Sequence, residues 1–296
     1  MCPALRSTRN ATSGDAAVRT GLADAGHIRL TPSTVPARAQ PCPGDPAMAQ
    51  VVVLDGLVVP APEHWRGWGR SLAEAGYATM RTGALSPRQA HQAELAGMRC
   101  VQELALLDLH RPDTPPRPAH RTRRVRSEHL TAMAVVDRAA FGERWCLDEH
   151  MITDVRRATP SHRSRLVVLR AAQTAPAGFL ISGRAGRTGY IQRLAVHPSA
   201  QRSGVATSLM ADALRWMHRS RLERVFVNTH VENTAALELY RLHGFTVMPE
   251  RLRVYESTTA LGPPTPRPAA APRPPAAVPA RRWQRRWRSS SARRST

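Results

Sequence analysis

The sequence predicts a mixed α/β (α+β) fold, a mixed sheet flanked by helices, on three observations. Runs rich in β-branched residues alternate with helical periodicities. One strand–helix–strand unit occurs twice with the same spacing. Proline-dense stretches separate the patterned segments.

Residues 1–47 are rich in Ala, Thr, Pro and Arg, lack sustained periodicity and read as disordered. The pattern changes at Met48, where Ala49-Gln50-Val51-Val52-Val53-Leu54 is the first strand-like run; this raises the expectation that translation starts at Met48. Within the first folded segment, 48–110, Tyr77–Thr82 reads as a strand, Ser86–Ala96 as a helix and Gly97-Met98 as its end. Residues 111–122 carry four prolines and read as a linker, because X-Pro steps favour extended backbone and cannot continue a helix.

The second folded segment spans 123–261. Tyr190–Val196 is strand-like and is ended by His197-Pro198. Val205, Leu209, Ala213 and Trp216-Met217 recur at steps of three to four, which predicts an amphipathic helix running through Ser208–Arg219. Arg224–Thr229 is a strand, Asn233–His243 a helix and Gly244-Phe245 its end. Residues 262–296 read as a disordered Pro/Arg-rich tail, with Arg and Trp interleaved over 281–288.

The two strand–helix–strand units keep step. Thr82 to Gly97 and Thr229 to Gly244 are both 15 residues; Thr82 to Glu103 and Thr229 to Glu250 are both 21. Chance identities in register compete with an ancestral duplication, and the matching strand, helix and terminal glycine favour duplication.

Charge narrows the function classes less than its size suggests. Among 296 residues there are 43 basic and 22 acidic side chains, a net +21, and every basic one is arginine. Selection for phosphate contacts recruits lysine as well, so a chain without lysine reads as a composition bias. Nine of the arginines fall in 257–296 with no acid, which leaves the folded part only moderately basic. No run of 18 apolar residues exists to span a membrane, and no apolar stretch follows Arg6 and Arg9 as a secretory signal requires. The four cysteines are scattered and the twelve histidines form no H-E-x-x-H, so no metal is expected, and the thiols suit a reducing cytoplasm.

The chemistry concentrates in Tyr190–Phe245. Gln201-Arg202-Ser203-Gly204-Val205-Ala206-Thr207 joins a strand to a helix start. There the first N–H groups have no internal partner and the dipole adds roughly half a positive charge, an anion-binding arrangement that small residues leave open. Taken alone, ordinary strand-to-helix junctions look the same. The loop lacks Gly-Lys-Ser/Thr and three spaced glycines, so it is neither a P-loop nor a dinucleotide fingerprint. Gly183, Gly186 and Gly189 fit a hairpin turn. Asn233 fits a helix N-cap, and Tyr240 shares a helix face with Ala236 and Leu237, where a core role competes with a functional one.

In combination, Leu194-Ala195-Val196-His197-Pro198, Gln201-x-x-Gly204-x-Ala206 and Asn233-x-x-Ala236-x-x-x-Tyr240-x-x-x-Gly244-Phe245 resemble the GNAT superfamily of N-acetyltransferases over about 123–256. The loop is similar to that family's Q/R-x-x-G-x-G/A acyl-CoA motif. The resemblance implies a sheet splayed after Leu194–Val196 with acetyl-CoA as co-substrate in the gap. It implies that the backbone of Leu194, Ala195 and Val196 pairs with pantetheine and that amides of Arg202–Thr207 hold the pyrophosphate. It further implies that Asn233 contacts pantetheine and that Tyr240 protonates the leaving thiolate. The implied acceptor is a primary amine of a small molecule or a protein N-terminus, beneath a helical rim of Phe141–Trp145 and Leu147–Val155. Where many relatives carry a glutamate base, this sequence has Gln192 and Arg193; Glu232 and His197 are weak alternatives, and a water chain is preferred.

The first segment resembles only the closing strand–helix–strand of that fold. Ala93 stands at the register of Tyr240 and Ser86 at that of Asn233, so it is expected to wall the acceptor pocket rather than catalyse. Two other classes remain beside the enzyme: a non-catalytic acyl-CoA-binding regulator, and nucleic-acid or acidic-surface binding through the Arg/Trp tail.

Overall fold

The computed structural model describes residues 28–30, 35–56, 58–113, 115, 117–169 and 175–260. Strands β1 (Ile28–Arg29), β2 (Ala37–Cys42) and β3 (Asp45–Val53) lead into helix α1 (Pro62–Glu74), β4 (Thr79–Thr82), α2 (Pro87–Leu95) and β5 (Arg99–His110). There follow β6 (Thr122–Arg124), α3 (Leu130–Phe141), α4 (Glu149–Arg157), β7 (Ser161–Val167), β8 (Gly178–Ala185) and β9 (Thr188–Val196). The chain closes with α5 (Val205–Arg219), β10 (Arg224–His230), α6 (Thr234–Leu242) and β11 (Thr246–Thr258).

All eleven strands join one sheet in the order β1-β2-β3-β4-β11-β5-β10-β9-β8-β7-β6. It is mixed: β3 runs parallel to β4 and β9 parallel to β10, and the remaining pairs are antiparallel. Both parallel pairs are bridged by a helix, α1 or α5, as parallel pairing demands. The run β3-α1-β4-α2-β5 therefore has the connectivity of β9-α5-β10-α6-β11. Pro87 to Thr234 and Arg99 to Thr246 are both steps of 147 residues. The terminating glycines match as well, Gly97 at φ 94° and Gly244 at φ 83°, a left-handed conformation that costs glycine nothing.

The last strand of each run leaves its own half. β5 pairs with β10, and β11 pairs with β4. The exchange carries side chains with it. Ala105 and Leu107 of β5 are buried in the core built by α5, α6, β9 and β10. Tyr255 of β11 is buried in the core of α1, α2 and β2–β4, and its hydroxyl donates to Glu94 at 2.6 Å. Ion pairs follow the same crossing: Arg81 with Glu256 at 2.7 Å, Arg224 with Asp108 at 2.7 Å. A third core lies on the opposite sheet face, where Met133, Val136 and Ile152 of α3 and α4 cover Leu166, Phe179 and Ile181.

Two expectations need correction. Disorder was expected through residue 47, but Ile28–Arg29 and Ala37–Cys42 are strands. Ala37 and Ala39 point into the core while Arg38 and Gln40 face the other way, so the alternation of β2 is written in alanine, too weak in hydropathy to stand out. A start at Met48 would remove β1, β2 and the first residues of β3, which the structure packs as ordinary sheet. The first segment is also longer than strand–helix–strand, since β3 and α1 precede it. Residues 1–27 and the tail 262–296 lie outside the described residues.

Candidate active site

The site begins where the sheet stops pairing. β9 bonds β10 only from Thr188 to Ile191, opposite Arg224 to Val227. Beyond that register β9 continues to Val196 along β8, and β10 continues to His230 along β5. The two strands diverge, and Gln192–Val196 keep one edge of their backbone unpaired. A β-bulge sits at the divergence: Ile191 faces Ser182, Arg193 faces Ile181, and Gln192 is the extra residue, which bends and twists the strand.

Just beyond, the chain turns into α5. Arg202 (φ 59°) and Gly204 (φ 81°) are both left-handed, flanking Ser203. Such alternation gathers successive N–H groups into an anion-binding nest, and non-glycine residues held there mark sites where the backbone shape matters. Ser208 is the first residue to donate into the helix backbone, to Gly204 O at 3.0 Å, so the N–H groups of Val205, Ala206 and Thr207 are free at the positive end of the dipole. Gln201, Arg202 and Ser203 are exposed. The turn is pinned from behind: Ser203 Oγ donates to Ala200 O at 2.6 Å, and His120 Nε2 lies 2.6 Å from Ser203 O. His120 also donates its backbone N–H to Ser208 Oγ at 3.0 Å, which ties the linker to the loop. Sequence reasoning missed His120, because its partner is 83 residues away.

Tyr240 of α6 is 5% exposed and shares a core with Val205, Leu209 and Ile191; Leu194 and Val196 pack against the same cluster. The structure thus brings the strand edge, the loop and the phenol together. Burial pushes the Tyr240 phenol up to about 12, with the Arg193 charge working the other way, so the hydroxyl keeps its proton at neutral pH. Its nearest ring is Phe245, with centroids 5.9 Å apart. Asn233 is exposed, and its Oδ1 accepts from Ala236 N at 3.1 Å: it caps α6 as its type and place suggest.

The candidate bases sort differently. His197 caps a short turn, its Nδ1 lying 2.7 Å from Ser199 Oγ. Glu232 is 85% exposed. Gln192 Oε1 is buried with no hydrogen-bond partner, an acceptor awaiting a water or an N–H group. Arg193 is held by Asp137 in a bidentate pair at 2.7 and 2.6 Å, donates to Trp145 O at 2.9 Å and lies 3.5 Å from the Phe141 ring centroid. Asp137 is fully buried and also accepts from Leu147 N at 2.7 Å. This clamp holds the segment between α3 and α4, and removing either partner would strand a buried charge. An acid on the buried face of α3 was the available signal for it.

The expected helical rim is corrected in the same place. Phe141 ends α3, Gly142 (φ 73°) breaks the helix, residues 143–145 form a turn, and helix resumes only at Glu149. Arg81 joins the clamp from β4, donating to Arg144 O at 2.7 Å with its guanidinium 4.3 Å from the Trp145 ring centroid. The three glycines near 186 do form a hairpin, Ala185 pairing Thr188 around Gly186 at φ 56°.

Residues 132–245 match the Acetyltransferase (GNAT) family. The chain is 39% identical over 62 residues to GCN5-related N-acetyltransferase 6, chloroplastic, of Arabidopsis thaliana, covering 21% of this chain and 22% of that protein. It is 39% identical over 67 residues to N-alpha-acetyltransferase 30 of Saccharomyces cerevisiae, covering 23% and 38%. The chain thus spans well under half the length of these curated relatives. The fold is similar to a tandem GNAT protein from the clavulanic acid biosynthesis pathway, at TM-score 0.53 and 15% identity over 78% of this chain and 79% of that one. The family match covers the splayed sheet, the α5 loop and Tyr240: over residues 132–245 the chain carries an acetyltransferase domain of the GNAT family.

Proposed function

We propose that the protein is an acetyl-CoA-dependent N-acetyltransferase, moving acetyl directly to a primary amine of a small molecule or a protein N-terminus. The observation that carries this reading is the end of the β9–β10 ladder at Ile191 and Val227, directly before a loop whose helix N–H groups have no partner. The fit to a phosphate-bearing thioester rests on those free amides and on Gly204, whose missing side chain leaves the backbone approachable. Amides of Gly204–Thr207 suit the pyrophosphate, and the open edge of Leu194–Val196 suits an extended amide-bearing arm paired like an added strand. Gln201, Arg202 and Ser203 form the exposed outer rim of that cradle.

When bound, acetyl-CoA supplies an activated acetyl thioester. Tyr240 Oη holds a proton next to the gap and donates a hydrogen bond to a sulfur placed there. At about 12, a value that already includes the lowering by the Arg193 charge, the phenol is too weak an acid to give up that proton outright to a thiolate of pKa about 8.5, so its part is to stabilise the departing sulfur by hydrogen bonding as the proton moves. Asn233 is proposed to keep its cap and offer the free amide N–H groups to the arm. Gln192 Oε1 is proposed to orient the amine or a draining water. The domain reading is 48–110 as a wall, 111–122 as connection and 123–261 as the catalytic unit. A cytoplasmic setting is the companion reading, supported by the free thiols of Cys42, Cys100 and Cys146. No helix among the described residues is long and apolar enough to cross a membrane.

A second reading, a non-catalytic acyl-CoA-binding regulator, is favoured by one observation: Arg193, locked to Asp137, stands beside the bulge where a base is wanted. One assay separates them. A panel of amines and N-terminal peptides is expected to release CoA thiol above background for at least one acceptor, with acetyl-CoA binding in calorimetry weakened about tenfold by Gly204→Val. Tight binding with background release across the panel selects the regulator, and unaltered affinity in Gly204→Val rejects the loop assignment.

A further inference from the structure

Several arginines in the fold meet a carboxylate: Arg38 with Asp154, Arg81 with Glu256, Arg193 with Asp137, Arg224 with Asp108, Arg253 with Glu103. One surface gathers several arginines around a hollow. Where β6 ends at Arg124, the first half of β7 is left as an open edge, and a cavity of about 230 Å³ forms among Arg124, Arg156, His162, Arg163, Arg165 and Trp216, with no carboxylate in its lining. A second hollow of about 830 Å³ shares Arg124, Val125 and Arg156 and continues past Arg121 and Arg123, with Glu128 its single acid. Together they make an elongated trough.

The guanidiniums are held in place while their outer nitrogens stay available. Arg163 and Arg165 each spend Nε on Asp212, at 2.8 and 3.4 Å, and Asp212 is further fixed by Thr122 Oγ1 at 2.7 Å. Burial raises the Asp212 carboxyl, but the Arg163 and Thr122 hydrogen bonds and the two arginine charges outweigh it and hold the group below the usual range. Asp212 is therefore committed to its two arginines. Arg156 spends Nε on Ser164 Oγ at 3.3 Å, and Arg124 has no partner among the described residues. Burial, then the charges of Arg157 and Arg124, lowers Arg156; burial, then Arg156, Arg157 and Arg124, lowers His162. The cations here crowd one another.

Composition bias explains how many arginines the chain has, and not why Arg124, Arg156, Arg163 and Arg165 converge on one hollow beside a partly buried indole with a single neighbouring carboxylate, Asp212, shared by two of them. The Trp216 end of the trough lies about 16 Å along α5 from the loop, Val205 to Trp216 at 1.5 Å per residue, whereas Arg121 at the other end adjoins His120, which touches the loop at Ser203. Two adjoining hollows, about 230 and 830 Å³, leave room for more than one phosphate, and the fixed arginine forks beside Trp216 suit phosphodiesters with a stacked base. We infer that this trough binds single-stranded nucleic acid through its phosphodiester backbone. The inference does not depend on acetyl transfer.

The test is fluorescence anisotropy of a labelled oligouridylate with the full chain across a salt series. Arg124→Ala combined with Arg156→Ala is expected to weaken binding at least tenfold and to reduce the log–log salt slope by about 1.4, at roughly 0.7 per lost phosphate contact on a single strand. Arg124→Ala alone, at an exposed position, should account for about half of the slope change and leaves the melting temperature as a check on folding. A chain with Arg281, Arg282, Arg285 and Arg286 changed to serine should keep most of the affinity. Binding lost only in the tail variant, or unmoved in the trough variants, overturns the inference. Equal binding of a polyglutamate peptide overturns it too, in favour of an unspecific polyanion surface.

Discussion

The two β-α-β-α-β runs use one backbone plan for different ends. In the second run, β9 parts from β10, a left-handed loop opens before α5, and Tyr240 lies beneath. In the first, Trp65 and Trp68 of α1 are buried in the core with rings 4.9 Å apart, and Ala93 stands at the register of the phenol. Among the described residues before α1, which starts at Pro62, none is left-handed. The plan makes a sheet with two helices; chemistry depends on a few residues at the gap. Side chains pack the first run shut.

That contrast can be broken in several places. The largest effect is expected from removing the first run. A chain of residues 118–262 lacks β5, so β10 and β11 lose their shared neighbour and the cluster around Leu107 opens. It is expected to be insoluble or molten by circular dichroism and dye binding; a native-like, cooperatively melting product would show that the halves are independent.

Next comes Tyr240→Phe, expected to lower kcat by about 100-fold or more while calorimetric acetyl-CoA affinity stays within about twofold. Unchanged turnover would remove the phenol from the chemistry. The same variant reports on stability. A folded-state pKa raised to about 12 against about 10 unfolded means that burial of the neutral phenol stabilises fully below pH 10 and that this contribution is lost as pH rises toward 12. Between pH 10 and 12 the wild type should lose about 1 kcal/mol per pH unit that the variant does not, measured by urea unfolding.

Trp65→Ala and Leu107→Ala form the third pair, each expected to cost about 3 kcal/mol or more in denaturant unfolding. Trp65→Ala should leave kcat of the folded fraction unchanged, whereas Leu107→Ala lies in the Tyr240 core and should also lower it. Matching kinetic effects would mean the first run contributes to the site directly. The smallest effect separates the two caps: Asn233→Ala should cost about 1 kcal/mol and weaken acetyl-CoA binding, and Ser86→Ala a few tenths with no binding change. Equal binding in both would limit Asn233 to its capping role.

Much of the second run was legible because its signals are local. Asn233, Gly244 and the spacing around Gly204 belong to single turns of chain, and structure finds each where type and spacing suggest. What escaped is long-range or quiet. Nothing in Arg99–His110 says that its neighbour is β10 rather than β4, since hydrogen-bond edges of strands are alike and the choice is made by Leu107 and Tyr255 finding cores. β2 escaped because alanine carries little hydropathy. His120, Arg81 and Asp137 act on partners far along the chain, where no motif window reaches.

The exchanged strands also set a timetable for biosynthesis. β4 is complete at Thr82, yet one of its edges stays open until Glu256–Thr258 exist, and the Arg81–Glu256 pair that closes it joins residues 175 apart. At 5–20 residues per second the ribosome needs roughly 10–35 s to cover that interval. A nascent chain must hold an unpaired β4 edge and the unpartnered pocket for Tyr255 through that time, a window in which a holding chaperone has something to grip.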